Sequence, residues 1–306
     1  MKGRSSPTKE RSGRLGRGWD LHMPYFALIP LLIVVIVFYL GTMAWSVGVS
    51  FTSSKLLPTA NYVGLEQYRV LFGTARWLVA LENIVLFGFT FMASCLVFGF
   101  LLAVFVDQKV RGEGIFRTIF LFPYAMSFIV TGLVWQWLLN PGLGIQQFVR
   151  GLGLEQFTFG WINDQQLAIY AIAIAAFWQG SGLIMVIMLA GLRGVDVELW
   201  KAAKIDGVPT WRVYMSIVLP ILRPTVATAV VLLALGVVKA YDVVVAMTQG
   251  GPGVATEVPA KFIMDYLFQR QNLGLAMAGS TVMLLSVLML LAPYLYAQYL
   301  RKESRH

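Results

Sequence analysis

Lys239 and Asp242 stand three residues apart inside a long apolar stretch, a spacing that puts both side chains on one face of a helix. A cation and an anion so placed can neutralise each other as a structural pair. They can also bind an ion or proton, line a hydrated path, or meet a second membrane subunit. A charge at bilayer depth costs on the order of 2.5–3.5 kcal/mol unless it is paired or wetted. Lys239 lies about eight residues from the outer end of its stretch, roughly 12 Å of helix, so its amine can also reach outward. Trp178-Gln179 is a second polar candidate, with an aromatic face for stacking and an amide for hydrogen bonding. The competing reading of that Trp is plain packing against lipid or core. Ser181, in Gln179-Gly180-Ser181-Gly182, has no His or Asp neighbour and reads as a small helix-packing position. Catalytic constellations are otherwise missing. The two histidines, His22 and His306, sit near the ends, and there is neither a Gly-x-Ser-x-Gly nor a Gly-x4-Gly-Lys-Ser/Thr phosphate loop. The single cysteine, Cys95, excludes an intrachain disulfide and a cysteine-based metal cluster. These absences leave no catalytic, cofactor-binding or ATP-binding set legible in the chain.

The elements that must position these residues are membrane helices. The chain is 58% hydrophobic and only 13% charged, with a mean hydropathy of +0.71. A soluble protein of that composition lacks the polar surface to cover itself, so the fold class is an all-α polytopic membrane protein. Six spans are expected, at about residues 24–49, 84–106, 116–139, 167–191, 224–247 and 275–300. The first is too long for a signal-peptide core, typically about 7–15 residues. Residues 1–20 form a basic tail, residues 21–300 a single transmembrane domain, and residues 301–306 a second tail. Placing both termini on one side gives that side 17 lysines and arginines against 6 on the other. The positive-inside rule therefore puts both termini, and residues 192–216, in the cytoplasm. The net charge of +9 reports this sidedness and does not indicate nucleic-acid binding. Long outer loops remain at about residues 50–82, 140–166 and 248–274. Their Trp77, Trp137 and Trp161 read as an interfacial belt, with sugar stacking or contact with a docked protein as the alternative.

Residues 198–220 are the one stretch that reads as a folded cytoplasmic surface. Glu198 to Lys204 are mostly good helix formers, and Asp206-Gly207 is a turn dipeptide whose Gly suits a helix end at φ > 0. Thr210 is placed to cap a second helix running towards Pro220, and Pro220 and Pro224 to end it and shape entry into the fifth span. Leu199, Ala202, Ala203 and Val208 are expected to form a small apolar knob rimmed by Lys201, Lys204, Asp206 and Arg212.

The spacing Ala202-Ala203, Gly207, Ile217, Leu219, Pro220, with Asp206 before the Gly, resembles the EAA loop of binding-protein-dependent ABC importer permeases. Lys201 stands where that family's Glu is expected, with Glu198 three residues earlier, and Val208 stands where Ala is usual. A second resemblance, to the sugar-permease branch, is carried by Met247-Thr248-Gln249-Gly250-Gly251-Pro252, Ala255-Thr256, Tyr266, Phe268, Gly274, Ala276 and Ala278. Trp137, Gly144 and Trp161 also sit as they do in that branch. Together the resemblances cover about residues 24–300. The run Glu257-Val258-Pro259-Ala260-Lys261-Phe262, followed by Gln271-Asn272-Leu273-Gly274, is most similar to glucose/mannose-type permeases.

The resemblance implies a division of labour. A separate ATPase, in two copies, would hydrolyse ATP, and an extracytoplasmic sugar-binding protein would capture substrate. This chain and a second permease subunit would form the path through a bacterial inner membrane. Glu198, Lys201, Ala202, Ala203, Asp206, Gly207, Ile217, Leu219 and Pro220 would form the ATPase-coupling element within loop 192–220, the alanines letting it sit deep in a partner groove. Lys239, Asp242, Trp178 and Gln179 would be the candidates for the sugar pathway. The rival reading is a self-sufficient carrier or channel built on Lys239 and Asp242. Such a protein has no reason to expose an Ala-Ala/Gly coupling element, and six spans without an internal repeat are few for a complete carrier.

Overall fold

The computed structural model describes residues 28–108 and 111–303. The basic tail 1–20 and residues 304–306 lie outside the described residues. The described residues are mostly helical, with irregular stretches between the helices. Among the described residues four helices are long and apolar enough to cross a bilayer, or six spans exist if each of two sharply bent helix pairs is counted as one.

The elements run α1 (Leu28–Val49), α2 (Glu66–Gly73), α3 (Ala75–Asp107), α4 (Glu113–Ala125), α5 (Phe128–Leu138), α6 (Ile145–Gly151), α7 (Ala168–Arg193) and α8 (Val197–Ile205). They continue with α9 (Thr210–Ile221), α10 (Arg223–Val238), α11 (Tyr241–Thr248), α12 (Pro259–Met264) and α13 (Leu273–Glu303). The centre of the bundle is the pair α3 and α7. Small residues let these helices approach: a β-carbon at Gly99 would lie 2.6 Å from Ile184 Cγ2, and one at Gly182 would strike the carbonyl oxygen of Phe120 on α4. Met185 and Met188 fill the remaining space and are fully buried. A smaller apolar cluster, around Trp77, Phe262, Leu275 and Ala278, joins the outer ends of α3, α12 and α13. Helix α1 packs on α13 and is exposed along almost its whole length, as a lipid-facing helix must be.

Several expected boundaries move, each for a local reason. The second span starts at Ala75 rather than near Ile84, because its first turns are held by Arg76 and Trp77; its 33 residues make it about 50 Å long. The expected outer loop 50–82 accordingly holds helix α2 and a short antiparallel contact between Thr52 and Tyr62. The third span bends by 99° between α4 and α5, where Pro123 ends one helix, Met126 is extended and the Ser127 side chain accepts from Val130 N to start the next. The fifth span is broken. At Lys239 and Ala240 the backbone N–H groups turn to carbonyls three residues back, tightening the chain and separating α10 from α11.

The entry into that span also departs from expectation. The first cap position of α9 is Pro209, and Thr210 makes no capping bond. Pro220 does not end the helix. A widened turn over Tyr214–Val218 precedes it and accommodates its missing N–H, and the 73° bend falls at Leu222, with Pro224 opening α10. At the other end, α13 continues through Glu303, so the expected tail 301–306 begins as helix.

Candidate functional site

Helix α8 is set by its two ends. The Asp196 side chain accepts from Glu198 N at 2.9 Å, capping the start. At the other end Gly207 takes φ +65°, Val208 N donates to Ala203 O at 3.0 Å, and Gly207 N donates to Lys204 O. That pair of bonds is a Schellman close, which requires the left-handed residue Gly207 supplies. Nothing crowds Gly207, so its identity is fixed by backbone conformation and not by packing. The helix is fastened to the bundle by Trp200, whose ring meets Tyr214 edge-on at 5.2 Å. Tyr214 in turn packs on Phe100, and its hydroxyl accepts from Gln108 Nε2 at 3.2 Å. Beside it, Arg193 at the end of α7 binds Glu113 at 2.6 Å and Asp107 at 3.7 Å, closing the cytoplasmic ends of α3, α4 and α7 together.

The expected knob is rearranged. Ala203 and Val208 turn inward, Ala203 being buried in the main core, whereas Ala202 is exposed. The outward apolar positions are Val197, Leu199, Ala202 and Ile205, the last 85% exposed. Val197 and Ile205 were missed because the spacing pattern names neither. A helical wheel with Trp200 and Ala203 inward points Ile205 directly outward and leaves Val197 on the flank. Lys201 forms a 2.8 Å pair with Glu198 on this surface, so the cation in the unusual position answers the displaced carboxylate. Ile217 and Leu219 are half-buried and Pro220 is exposed, while Asp206 lies at the turn.

The pathway candidates separate. Because the helix breaks at Lys239, the shared face expected for Lys239 and Asp242 does not form. Both are exposed, and no ion pair joins them among the described residues. Gln179 is 2% exposed and donates to Met126 O at 2.7 Å, satisfying a carbonyl freed by the bend between α4 and α5; its Oε1 is buried without a partner. Trp178 packs edge-on against Trp135. Among the outer tryptophans, Trp137 is exposed and Trp161 half-buried. Trp77 is fully buried against Phe262, contrary to its expected interfacial place.

The outer side also holds a charge cluster that the sequence reading did not foresee. Arg76 binds Glu257 at 2.7 Å and also binds Asp265, and Lys261 donates to both oxygens of Asp265 at 2.8–2.9 Å. The Arg76 guanidinium lies over the Phe262 ring, and Asn83 donates to Glu257 O. Glu257, Lys261 and Asp265 are all buried. Burial pushes the Glu257 carboxyl above its ordinary range despite Arg76. Burial also acts upward on Asp265, but its bonds from Lys261 and Arg76 prevail and hold it below that range. The cluster reaches the Gly-Gly-Pro loop as well: a β-carbon at Gly250, where φ is +89°, would lie 2.9 Å from Glu257 Oε2. Thr256 closes that loop through Thr248 Oγ1 and Gly251 O. The run Glu257–Phe262 is therefore spent on holding α12 and the loop to α3.

The chain is similar to known transport proteins. A probable ABC transporter permease protein of Pyrococcus horikoshii is 38% identical over 94% of this chain and 99% of its own length. The xylose/arabinose import permease protein XacH of Haloferax volcanii is 32% identical over 92% of this chain and 93% of its own. In structure, a chain of a bacterial ABC transporter involved in the import of the acidic polysaccharide alginate superposes with a TM-score of 0.76 at 16% identity, covering 95% of this chain and 99% of that one, which establishes a shared fold. Residues 95–302 match the family described as binding-protein-dependent transport system inner membrane component, and the chain belongs to that family of membrane-embedded ABC permeases.

Proposed function

We propose that this chain forms half of the translocation pathway of an ATP-driven sugar importer and takes its drive from a separate ATPase through helix α8. The observation that carries the reading is α8 itself: a short helix fixed at both ends and fastened by Trp200, yet presenting Val197, Leu199, Ala202 and Ile205 to solvent. Apolar side chains held rigidly outward on a cytoplasmic surface suit a partner's groove. ATP is bound by that partner, in two copies, and this chain makes and breaks no covalent bond. Closure of the ATPase pair would pull α8. Through Tyr214 and Phe100 the pull reaches α3, and through α9 it reaches α10, so the spans rock as packed bodies.

A second permease subunit completes the pathway, and an extracytoplasmic binding protein delivers the substrate. A sugar is supported by the Gly-Gly-Pro loop and by the XacH relative. A monosaccharide of the glucose/mannose type is the first to assay, on the likeness of residues 257–262 and 271–274. Lys239 and Asp242, exposed at the helix break, are assigned to the pathway. Gln179 is bonded inward, and Trp178 at its side is assigned to the pathway wall.

Affinity purification of the tagged chain from its native membranes in mild detergent, with mass spectrometry of the co-purifying proteins, tests the assembly. An ATPase and a second permease are expected. Recovery of the chain alone, monodisperse and stable, would return the carrier reading to the front.

A further inference from the structure

On the outer face a half-open cavity of about 310 Å³ lies where α5, the turn after it, the Trp161–Asn163 turn and the Gly-Gly-Pro loop converge. Four carboxamides from these separate segments meet there: Gln136, Asn140, Asn163 and Gln249. No charged side chain lines it. The amides are not used up by the fold. Asn140 accepts from Gly142 N through Oδ1, leaving its amine, and among the described residues the side chains of Gln136, Asn163 and Gln249 make no hydrogen bond. Gln249 is also one of two non-glycine residues among the described residues held at positive φ, at +55°, in a place where Gly would sit without cost. Each carboxamide offers both donors and acceptors without charge. That combination matches a sugar's hydroxyls, which donate and accept in turn, and matches anions or cations poorly. The volume falls in the range of small-ligand sites.

We propose that this cavity is an outer subsite for one sugar unit, holding substrate between its release from the binding protein and its entry past Lys239 and Asp242. The inference rests on the sugar-importer reading, so the test is ordered to separate the two. Uptake of D-glucose, D-mannose, D-xylose and maltose by the assembled wild-type complex with its binding protein comes first. Transport of none of them overturns the importer reading for these sugars, and with it the ligand class of the cavity.

The complex without binding protein is then titrated with the transported sugar, following tryptophan fluorescence. Trp135 and Trp137 flank Gln136, and Trp161 lies two residues from Asn163. A saturable change is expected, weakened about three- to tenfold in Asn163→Ala and in Gln249→Gly. The second variant relieves the positive φ while deleting the amide, so loss of binding there cannot be blamed on a damaged fold. No saturable change with a transported sugar, or variants that bind like wild type, overturns the subsite. So does a weakened affinity for sugar-free binding protein with the sugar signal intact, which would make the cavity a docking contact instead.

Discussion

Helix α8 and the segment Pro259–Gln269 are both short helical pieces lying outside the long spans, at opposite ends of the molecule, and they use charge in opposite ways. On α8 the charges are exposed and paired locally, Glu198 with Lys201 three residues on. On the outer segment the charges are buried, and the decisive partner, Arg76, comes from 181 and 189 residues away. An exposed pair contributes at most a few tenths of a kcal/mol to stability. A buried pair is held in place because losing one member strands the other in an apolar setting. The outer end is thus locked by its charges, whereas the cytoplasmic helix is fixed by its backbone ends and aromatic anchor, with its charges and apolar positions left for a partner.

The largest effect should come from breaking the lock. Arg76→Ala leaves Glu257 and Asp265 short of a cation and should cost on the order of 3–5 kcal/mol. Detergent-solubilised protein should melt at clearly lower temperature or fail to accumulate; an unchanged melting profile would show that the cluster bears little. Gly207→Val comes next. A β-branched residue at positive φ costs roughly 1–2 kcal/mol and spoils the Schellman close. The chain should stay in the membrane and assemble, but ATP hydrolysis and uptake should part company in reconstituted complexes.

Ile205→Glu separates stability from docking. An exposed substitution shifts stability by about 0.5 kcal/mol or less, yet recovery of the ATPase in pull-downs should fall severalfold. Equal recovery would move the contact elsewhere on the helix. Lys201→Glu is the smallest change. It exchanges an attractive pair with Glu198 for a repulsive one, a few tenths of a kcal/mol, and restores the family's usual residue, so initial uptake rates should stay close to wild type.

The same contrast explains what could be read from the chain beforehand. Apolar length gave the membrane class and a count of six spans that holds if each bent pair is one span, and the charge bias gave the expected side for α8. The Asp206-Gly207 turn was legible because helix closure is a local matter of φ. The breaks at Met126 and Lys239 were not, since a hydropathy window cannot distinguish a straight span from a bent one when the bend's carbonyl is satisfied by Gln179 from another helix. Arg76 and Glu257 looked like two ordinary loop charges because only the fold brings them together. Lys239 and Asp242 looked like a pair because an unbroken helix was assumed. The inward turn of Ala203 was within reach, since Trp200 three residues earlier marks the same face.

The central claim, that α8 seats in a separate ATPase, has a direct test. The sole native cysteine, Cys95, is buried, so Ile205→Cys supplies the one accessible thiol among the described residues. A thiol-directed photo-cross-linker attached there in native membranes, with mass spectrometry of the product, should join this chain to an ATPase subunit, and the yield should change when ATP is trapped. Abundant cross-links to lipid or to a second copy of this chain, with none to an ATPase in membranes that contain one, would contradict the claim.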